Sequence, residues 1–365
     1  DIIENLQYLK PVSAFRTKYD YDNLLYIVAG EVIEKVSGLS WCDFIENKIM
    51  KPLEMKNSAA SFLRLKDTTN IIDPHVPTDG KLKVISRYKN QTFDAAAGIY
   101  SSVNDMSKWM IAQLQQGKYG SEKQFKLFSE AQHNEMWQLQ TIIPSKTREP
   151  YFTHFSGYGL GWFLSDVKGY KQVTHTGGLE GIVTQVTLIP ELNLGIVVLT
   201  NHQSGAAFNA ITNTIKDAYL KIEYKDYVTL YSQREKNNIA EADKVTTEVW
   251  AKITENQKNK VKVETKNYIG IYKDNWFGNI IISEKKGKMY FQSARSPQLA
   301  GEIFFYKDNT FAVKWNNRSF NADAFITFSE NNTQIKMAAI SELTDFSYDF
   351  QDLEFKKIDR SNVNN

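Results

Sequence analysis

Residues 19–38, with the sequence YDYDNLLYIVAGEVIEKVSG, indicate how the N-terminal part of this chain folds. Apolar side chains recur there at helical spacing, at Leu25, Val28, Val32 and Val36. This repeat predicts a core helix over residues 22–38, with the apolar stripe facing the interior. Gly38 is a natural stop, because glycine enters the left-handed conformation of a helix C-terminus without strain.

Two further helices are predicted downstream, each with its own N-terminal cap. Ser40, followed three residues later by Asp43, resembles a capping box. Ser102 and Asp105 form a similar pair at the start of the next helix. Between these helices, residues 59–92 are polar and contain prolines, so we expect loops and short strands there.

After a long surface region the pattern changes from helices to strands. Four short apolar or alternating runs predict an antiparallel meander: GYGLGWFLSD (157–166), KQVTHTGG (171–178), IVTQVTLIPE (182–191) and LGIVVLTN (194–201). A closing helix is expected in AAFNAITNTIKDAYL, residues 206–220. Early helices, late strands and a closing helix predict an α/β or α+β domain over residues 1–222, an antiparallel sheet with flanking helices.

The rest of the chain has a different character. Residues 223–262 are rich in Lys, Glu and Asn, and we interpret them as a charged, partly helical linker. Residues 263–358 contain several strand-like runs separated by turns, which predict a small all-β barrel or sandwich. Residues 359–365 are left as a tail.

Composition excludes some classes of function. The 365 residues are 42% hydrophobic, enough for one large domain and one small domain. The formal net charge of +2 does not point to a nucleic acid or an acidic membrane surface as partner. Cys42 is the single cysteine, so the sequence allows no intrachain disulfide. No apolar run in the sequence reaches the length of a membrane-spanning helix.

The loop Tyr21-Asp22-Asn23 is the first candidate for chemistry. A tyrosine at such a junction can act as a general base if nearby cations and a desolvated pocket bring its pKa down toward neutrality. Asn23 could point the same way and bond a substrate carbonyl or amide. The alternative is structural, because Asp22 or Asn23 is a good helix N-cap.

His175-Thr176-Gly177-Gly178 is the second candidate, at the end of a predicted strand. Its glycines allow a substrate to approach the backbone, and a free N–H there could stabilise an oxyanion. A partly cationic His175 could tune a neighbouring phenol. The alternative is an ordinary hairpin turn. A third, weaker candidate is the small-residue turn at residues 97–102.

Taken in order, these segments resemble the serine β-lactamase-like hydrolases, which include class C β-lactamases, penicillin-binding proteins, D-aminopeptidases and related esterases. Residues 19–58 look like the family's Tyr-x-Asn loop, core helix and following segment, and AAAGIYSSVNDMSKWM resembles its glycine turn. YGLGW, HTGGLEG and IPELNLGIVVLTN resemble its last strands. The resemblance covers about residues 10–220. Residues 263–358 are similar to a domain of unknown function often attached to such hydrolases.

The resemblance implies acyl transfer without a metal or cofactor. In this family a serine of Ser-x-x-Lys attacks a carbonyl, and the lysine and the tyrosine of Tyr-x-Asn handle its proton. The resemblance carries catalytic roles to Tyr21, Asn23 and His175. It carries substrate alignment to Thr176 and Gly177, and an oxyanion-hole N–H to Gly178.

The nucleophile itself is not recognised in this chain. Only 20 residues precede Tyr21, and three later sequences match Ser-x-x-Lys out of order: Ser86–Lys89, Ser165–Lys168 and Ser283–Lys286. We interpret all three as chance matches. Truncation is the simpler explanation and natural loss of catalysis the alternative, and either one predicts an inactive chain.

His175 stands where most β-lactamases have lysine, which favours esterase or peptidase-like chemistry over antibiotic hydrolysis. A peptide-like or other small molecule is then the expected substrate. The resemblance also implies a bacterial protein exported to the periplasm or secreted. The alternative function is a non-catalytic protein that binds a peptide, glycan or partner on the same fold. Carbohydrate binding by the aromatic-rich β domain has only composition in its favour.

Overall fold

The computed structural model describes residues 1–359 except Asp79 and Phe346. Most of the predicted tail, residues 360–365, therefore lies outside the described residues. The chain forms two compact units. One comprises residues 11–77 and 82–232, and the other comprises the described residues within 1–10, 78–81 and 233–359.

Within the described residues, the helices are α1 (Ile2–Asn5), α2 (Asn23–Ser37), α3 (Trp41–Ile45), α4 (Asp94–Ala97), α5 (Val103–Leu114), α6 (Glu130–Met136), α7 (Gly205–Tyr219) and α8 (Tyr227–Lys258). A π-helical turn, Glu46–Met50, continues α3. The strands up to the start of α8 are β1 (His75–Thr78), β2 (Lys81–Val84), β3 (Lys118–Tyr119), β4 (Phe125–Lys126), β5 (Thr141–Ile142), β6 (Ser156–Tyr158), β7 (Phe163–Val167), β8 (Tyr170–Leu179), β9 (Ile182–Ile189) and β10 (Leu194–Leu199).

The predicted helices form where their caps indicate. Asp22 caps α2, since its side chain accepts a hydrogen bond from the Leu24 backbone N–H at 2.7 Å. Gly38 ends α2 with φ 71°, in the left-handed region. The Ser102 side chain accepts from the Asp105 backbone N–H at 3.3 Å at the start of α5. These local signals are confirmed.

The expected orientation of α2 is wrong. Leu25, Val32 and Val36 of its apolar repeat are exposed by 58%, 55% and 83%, whereas Ile27 and Gly30 are buried. The reason is close packing at Gly30, where a Cβ atom would lie 2.5 Å from the Cβ of Ala95. Only the glycine side of α2 can approach its neighbours this closely, so that side packs inward.

A six-stranded antiparallel sheet organises the larger unit, in the order β10-β9-β8-β7-β6-β5. The prediction of one strand over residues 157–166 is wrong, because the structure has β6 and β7 there. Gly159 and Gly161 turn the chain between them. A side chain at Gly159 would clash with the Met136 carbonyl, and Gly161 has φ 81°.

Helices cover both faces of this sheet. Leu188 of β9 belongs to a core cluster with Met110 of α5, whereas its neighbour Ile189 belongs to another cluster with Phe208 of α7. Successive residues of a strand point to opposite faces. Helix α5 therefore packs on one face and α7 on the other, as expected for a layered α/β domain.

The other unit contains a closed barrel. Its strands are β11 (Gly270–Asp274), β12 (Gly278–Lys285), β13 (Lys288–Ser293), β14 (Ala300–Lys307), β15 (Thr310–Trp315), β16 (Ala324–Phe328), β17 (Gln334–Ala339) and β18 (Glu354–Ile358). Adjacent strands pair antiparallel around the closed ring. The predicted small β-barrel is confirmed. Its core holds fully buried Tyr272, Phe291 and Trp315, so side chains fill it.

The segment interpreted as a linker is more regular than expected. Helix α8 runs for 32 residues, from Tyr227 to Lys258. Its sequence has few large aliphatic residues, so periodicity alone gave little sign of one continuous helix. Val249 and Ile253 on α8 are buried with Ala312 and Ile340 of the barrel unit, and this tertiary contact stabilises the helix.

Candidate functional site

The Tyr21-Asp22-Asn23 loop presents its side chains at the N-terminus of α2. Asp22 has the structural role of N-cap, which leaves Tyr21 and Asn23 on either side of it. Tyr21 and Asn23 are both half-buried. The Asn23 side chain has no hydrogen-bond partner among the described residues, so its amide remains available to a ligand.

Strand β8 has an open edge next to this loop. On one side β8 pairs with β9 along its whole C-terminal half, from His175 opposite Val186 to Leu179 opposite Ile182. On the other side, in the part of the chain that the structure describes, the pairing with β7 stops at Thr174. Thr176, Gly177 and Gly178 are exposed. Residues 175–179 therefore offer unpaired backbone groups to an extended ligand.

A cluster of aromatic rings borders this open edge. The ring centroid of Tyr21 lies 5.9 Å from that of His175 and 6.2 Å from that of Tyr158. Phe163 contacts the His175 ring at 5.5 Å, and Tyr19 contacts Phe163 at 5.6 Å. The structure thus brings two predicted site residues, Tyr21 and His175, together. It adds Tyr19, Tyr158 and Phe163 beside them.

A hydrogen-bond chain runs through this aromatic cluster. The hydroxyl oxygens of Tyr26 and Tyr158 are 2.6 Å apart, and the Tyr158 hydroxyl is 2.8 Å from Nε2 of His175. On the other side of the imidazole, Nδ1 lies 2.6 Å from the carbonyl oxygen of Thr176. Both ring nitrogens of His175 therefore have partners within the protein.

Burial favours the uncharged forms of His175, Tyr21 and Tyr19. It lowers the pKa of His175, although the hydrogen bond to the Thr176 carbonyl works in the opposite direction. Burial also raises the pKa of Tyr21, with a further contribution from Tyr26, and raises that of Tyr19 to about 12. The lowered phenol pKa that a tyrosine general base requires is not found at Tyr21 in this chain, so its catalytic role stays a prediction.

The tip of the β8–β9 hairpin forms hydrogen bonds with residues outside the six-stranded sheet. The His75 backbone N–H donates to the Gly181 carbonyl at 3.1 Å, and the Gly181 N–H donates to the Gln203 side chain at 3.2 Å. Gly181 has φ 77°, and a Cβ there would lie 2.8 Å from the His75 nitrogen. Only glycine fits this turn, which lies three residues after Gly178.

The Ser-x-x-Lys matches have other roles in the structure. Ser165 lies in β7 and accepts a hydrogen bond from Gln172, and Lys168 donates to the Leu220 carbonyl. Ser283 and Lys286 belong to the β12–β13 hairpin of the barrel. Lys89 places its ammonium group 5.1 Å from the Phe62 ring centroid. None of the described contacts joins these serines to Tyr21 or His175.

Sequence reasoning missed part of the cluster. Tyr26, Tyr158 and Phe163 were not predicted as site residues, although Tyr158 and Phe163 lie within the quoted GYGLGWFLSD run. The signal was a tyrosine and a phenylalanine flanking a glycine-rich turn, which lets two short strands present both rings together. The small-residue turn contributes Gly98, whose missing side chain allows close packing on Asp94.

The described part of the chain, residues 1–359 without 79 and 346, contains no helix with both the length and the apolarity needed to cross a bilayer.

Comparison with known proteins identifies two families. The Beta-lactamase family model matches residues 1–221, and a model for a domain of unknown function, DUF3471, matches residues 255–357. The unguisins hydrolase of Aspergillus campestris (strain IBT 28561) is 29% identical over 233 residues, which are 61% of this chain and 41% of that protein. Protein flp of Staphylococcus aureus (strain MW2) is 26% identical over 188 residues, 51% of this chain and 34% of its own length.

The chain thus spans about two fifths or less of the length of these relatives. A solved structure, the octameric penicillin-binding protein homologue from Pyrococcus abyssi, is similar with a TM-score of 0.51 at 18% identity. The match covers 95% of this chain and 66% of that one, and it shows likeness of fold alone. Because the first family model covers more than half of the sequence, this chain belongs to the Beta-lactamase family of serine hydrolases, with a DUF3471 domain in its C-terminal part.

Proposed function

We propose that this chain carries the substrate-aligning part of a hydrolase site that cleaves an ester or a peptide-like amide through an acyl-serine intermediate. The observation that supports the proposal most directly is the open edge of β8 at residues 175–179, beside the ring of Tyr21. An extended substrate can pair with this edge as an added strand, which would bring its carbonyl next to the Tyr-x-Asn loop.

The predicted site residues other than His175 have the following roles in this proposal. The exposed backbone of Thr176 and Gly177 aligns the substrate, and the N–H of Gly178 supplies one oxyanion-hole donor. Asn23 bonds the substrate amide or carbonyl with its unpartnered side chain. Tyr21 handles the nucleophile's proton once a lysine cation lies near its phenol, since burial alone raises its pKa.

The chemistry needs a serine and a lysine that none of the Ser-x-x-Lys matches in this chain provides at the site. We therefore propose that the chain by itself does not form an acyl-enzyme. The test is incubation of the full chain with a fluorophosphonate probe or a fluorescent penicillin, followed by intact mass measurement. We expect no adduct. Stoichiometric labelling of a serine would overturn this proposal, and Ser86→Ala, Ser165→Ala and Ser283→Ala variants would identify the serine.

A non-catalytic binding protein is the second candidate function. The same observation favours it, because pairing with an open strand edge needs no nucleophile. The two functions differ in one feature of the gene. A Ser-x-x-Lys motif encoded upstream of Asp1, after an export signal, supports the hydrolase, and a start codon close to Asp1 supports the binding protein.

The proposal also includes the chemical class of the substrate and the location of the protein. The unguisins hydrolase is by its name a hydrolase of unguisins. For this chain we propose a peptide-like substrate or an ester. β-Lactam antibiotics carry a carboxylate, which an imidazole holds less firmly than a lysine ammonium group. Residence in the periplasm or outside the cell is part of the proposal, on the strength of the family alone.

A further inference from the structure

Both nitrogens of the His175 imidazole are engaged by the protein itself. Nδ1 lies 2.6 Å from the carbonyl oxygen of Thr176, and a carbonyl can only accept a hydrogen bond. Nδ1 therefore carries a proton. In the neutral ring, Nε2 is then the acceptor, and the Tyr158 hydroxyl at 2.8 Å donates to it.

The hydrogen bond between Tyr26 and Tyr158 has a defined direction as well. Because Tyr158 gives its proton to His175, the hydroxyl of Tyr26, 2.6 Å away, donates to the Tyr158 oxygen. The two phenols thus form an ordered chain that ends at Nε2. Such chains strengthen each successive bond, so Tyr26 makes Tyr158 a better donor.

Aromatic rings form the described ring contacts of the imidazole. Its described ring contacts are with Tyr21, Tyr158 and Phe163, at centroid distances of 5.5–5.9 Å. No charged side chain is among the described contacts of His175. A carboxylate brought to this edge of β8 would lose water without gaining an ion pair or a charge-assisted hydrogen bond from the histidine.

We propose that Tyr158, supported by Tyr26, is a specificity-determining residue of this site. By occupying Nε2, it leaves His175 with no N–H for a ligand, and the site consequently takes uncharged carbonyl compounds with an apolar group in preference to carboxylates. This inference rests on the proposed function, since it requires ligands to bind along the open edge of β8.

The test compares two ligands that differ in one group. The full chain, labelled with ¹⁵N, is titrated at pH 6 with N-acetyl-phenylalaninamide, which is neutral, and with N-acetyl-phenylalanine, which is a carboxylate. Binding is followed by the backbone resonances of residues 175–178 and by the side-chain resonances of His175. The chain has five histidines, so a His175→Gln variant suffices to assign the ring signals.

In the wild-type chain we expect the amide to bind at least roughly tenfold more tightly than the carboxylate. The Tyr158→Phe variant keeps the ring but frees Nε2, which can then take up a proton and donate it to a carboxylate. The preference for the amide should fall by roughly tenfold, and the Nε2 resonance should change. Tyr26→Phe should have the same effects to a smaller degree.

Tyr19→Phe is the matched control. The Tyr19 ring packs against Tyr158 with a centroid distance of 5.5 Å, but Tyr19 makes no described hydrogen bond to His175. This variant should bind both ligands as the wild type does. A purely structural role of the tyrosine rings would instead give Tyr19→Phe and Tyr158→Phe the same effect.

The outcomes distinguish a failure of the proposed ligand selectivity from a failure of the proposed function. If the two ligands bind the wild-type chain equally well, or the carboxylate binds more tightly, the selectivity is overturned and the proposed function stands. The selectivity is also overturned if Tyr158→Phe leaves the preference and the Nε2 resonance unchanged. If neither ligand shifts residues 175–178, the proposed function is overturned and the selectivity with it.

Discussion

The hydroxyl of Tyr158 lies 2.8 Å from Nε2 of His175, which joins two strands of the sheet that are not neighbours. Tyr158 ends β6 and His175 lies in β8, while β7 runs between them. Phe163, the first residue of β7, packs against both rings, at centroid distances of 4.9 Å and 5.5 Å. This bond orients the imidazole at the point where β8 becomes an open edge.

The two glycines of the open edge should respond differently to alanine. A Cβ at Gly177 would lie 2.4 Å from Oγ1 of Thr184, its cross-strand partner, whereas a Cβ at Gly178 would meet nothing within 4 Å. Gly177→Ala should lower the free energy of unfolding by about 1–2 kcal/mol, and Gly178→Ala should leave it unchanged or raise it by up to about 1 kcal/mol. Urea denaturation of both variants measures the difference.

Thr184→Ala provides the control for this clash. Combined with Gly177→Ala, it removes Oγ1, so the double variant should regain most of the lost stability. A larger loss at Gly178 than at Gly177 would contradict the packing described for β8.

Two apolar residues on α2 should differ in their contribution to stability. Ile27 is buried, so Ile27→Ala should lower the free energy of unfolding by about 2–5 kcal/mol. Val32 belongs to the exposed stripe, so Val32→Ala should change it by less than about 0.5 kcal/mol. Thermal and urea unfolding of the two variants measures both losses of stability. Equal losses would mean that the stripe is packed after all.

A buried lysine should make stability depend on pH. Lys216 is 5% exposed, lies 3.9 Å from the ring centroid of Tyr151 and donates to the side chain of Gln172. Burial lowers its pKa from 10.5 to about 8. The folded state therefore loses this proton before the unfolded state does. The contribution of Lys216 to the free energy of unfolding should not change with pH below about pH 8. It should rise by about 2 kcal/mol between pH 8 and pH 10.

The neighbouring tyrosines set the upper end of this window. Burial raises the pKa of Tyr151 and raises that of Tyr227 to about 12, while unfolded tyrosines ionise near pH 10. Above pH 10 the unfolded state binds fewer protons than the folded state, so stability falls again. The measurement is the free energy of unfolding at pH 7–10 for the wild type minus that for Lys216→Met. A difference that does not change with pH would refute the assignment.

Neighbouring isoleucines on β12 test the alternation of the barrel wall. Ile282 is 1% exposed and lies in the barrel core, whereas Ile281 is 41% exposed on the outside. Ile282→Ala should lower the free energy of unfolding by about 2–5 kcal/mol and Ile281→Ala by less than about 1 kcal/mol. Reversed effects in denaturant titrations would indicate a strand register shifted by one residue.

Local features of the fold could be predicted from the sequence because they depend on residues a few positions apart. The caps at Asp22 and Ser102 and the stop at Gly38 involve neighbours along the chain, so short patterns identify them. The barrel strands follow from alternation and turn residues. The division at residues 157–166 was missed, because Gly159 and Gly161 interrupt an apparently continuous apolar run.

The candidate site was predicted only in part, for a related reason. Tyr21 and His175 were named because they match motifs of a family. Tyr158 was not named, because its role depends on two hydrogen bonds with distant partners. Tyr26 lies 132 positions earlier in the sequence and His175 lies 17 positions later. No local pattern encodes such separations. The pairing of β6, β7 and β8 brings Tyr158 next to His175, and the tertiary fold brings Tyr26 of α2 to Tyr158.

By itself, the sequence determined the caps and ends of α2 and α5 and the alternation of the barrel strands, since backbone caps, glycine conformations and side-chain periodicity are short-range properties. Only the tertiary structure decided which side of α2 is buried, because Gly30 allows a close contact with Ala95 that the apolar repeat does not foretell. It also decided that both nitrogens of His175 are occupied. Hydrogen bonds between distant side chains exist only once the sheet has formed, and they set the chemistry of the site.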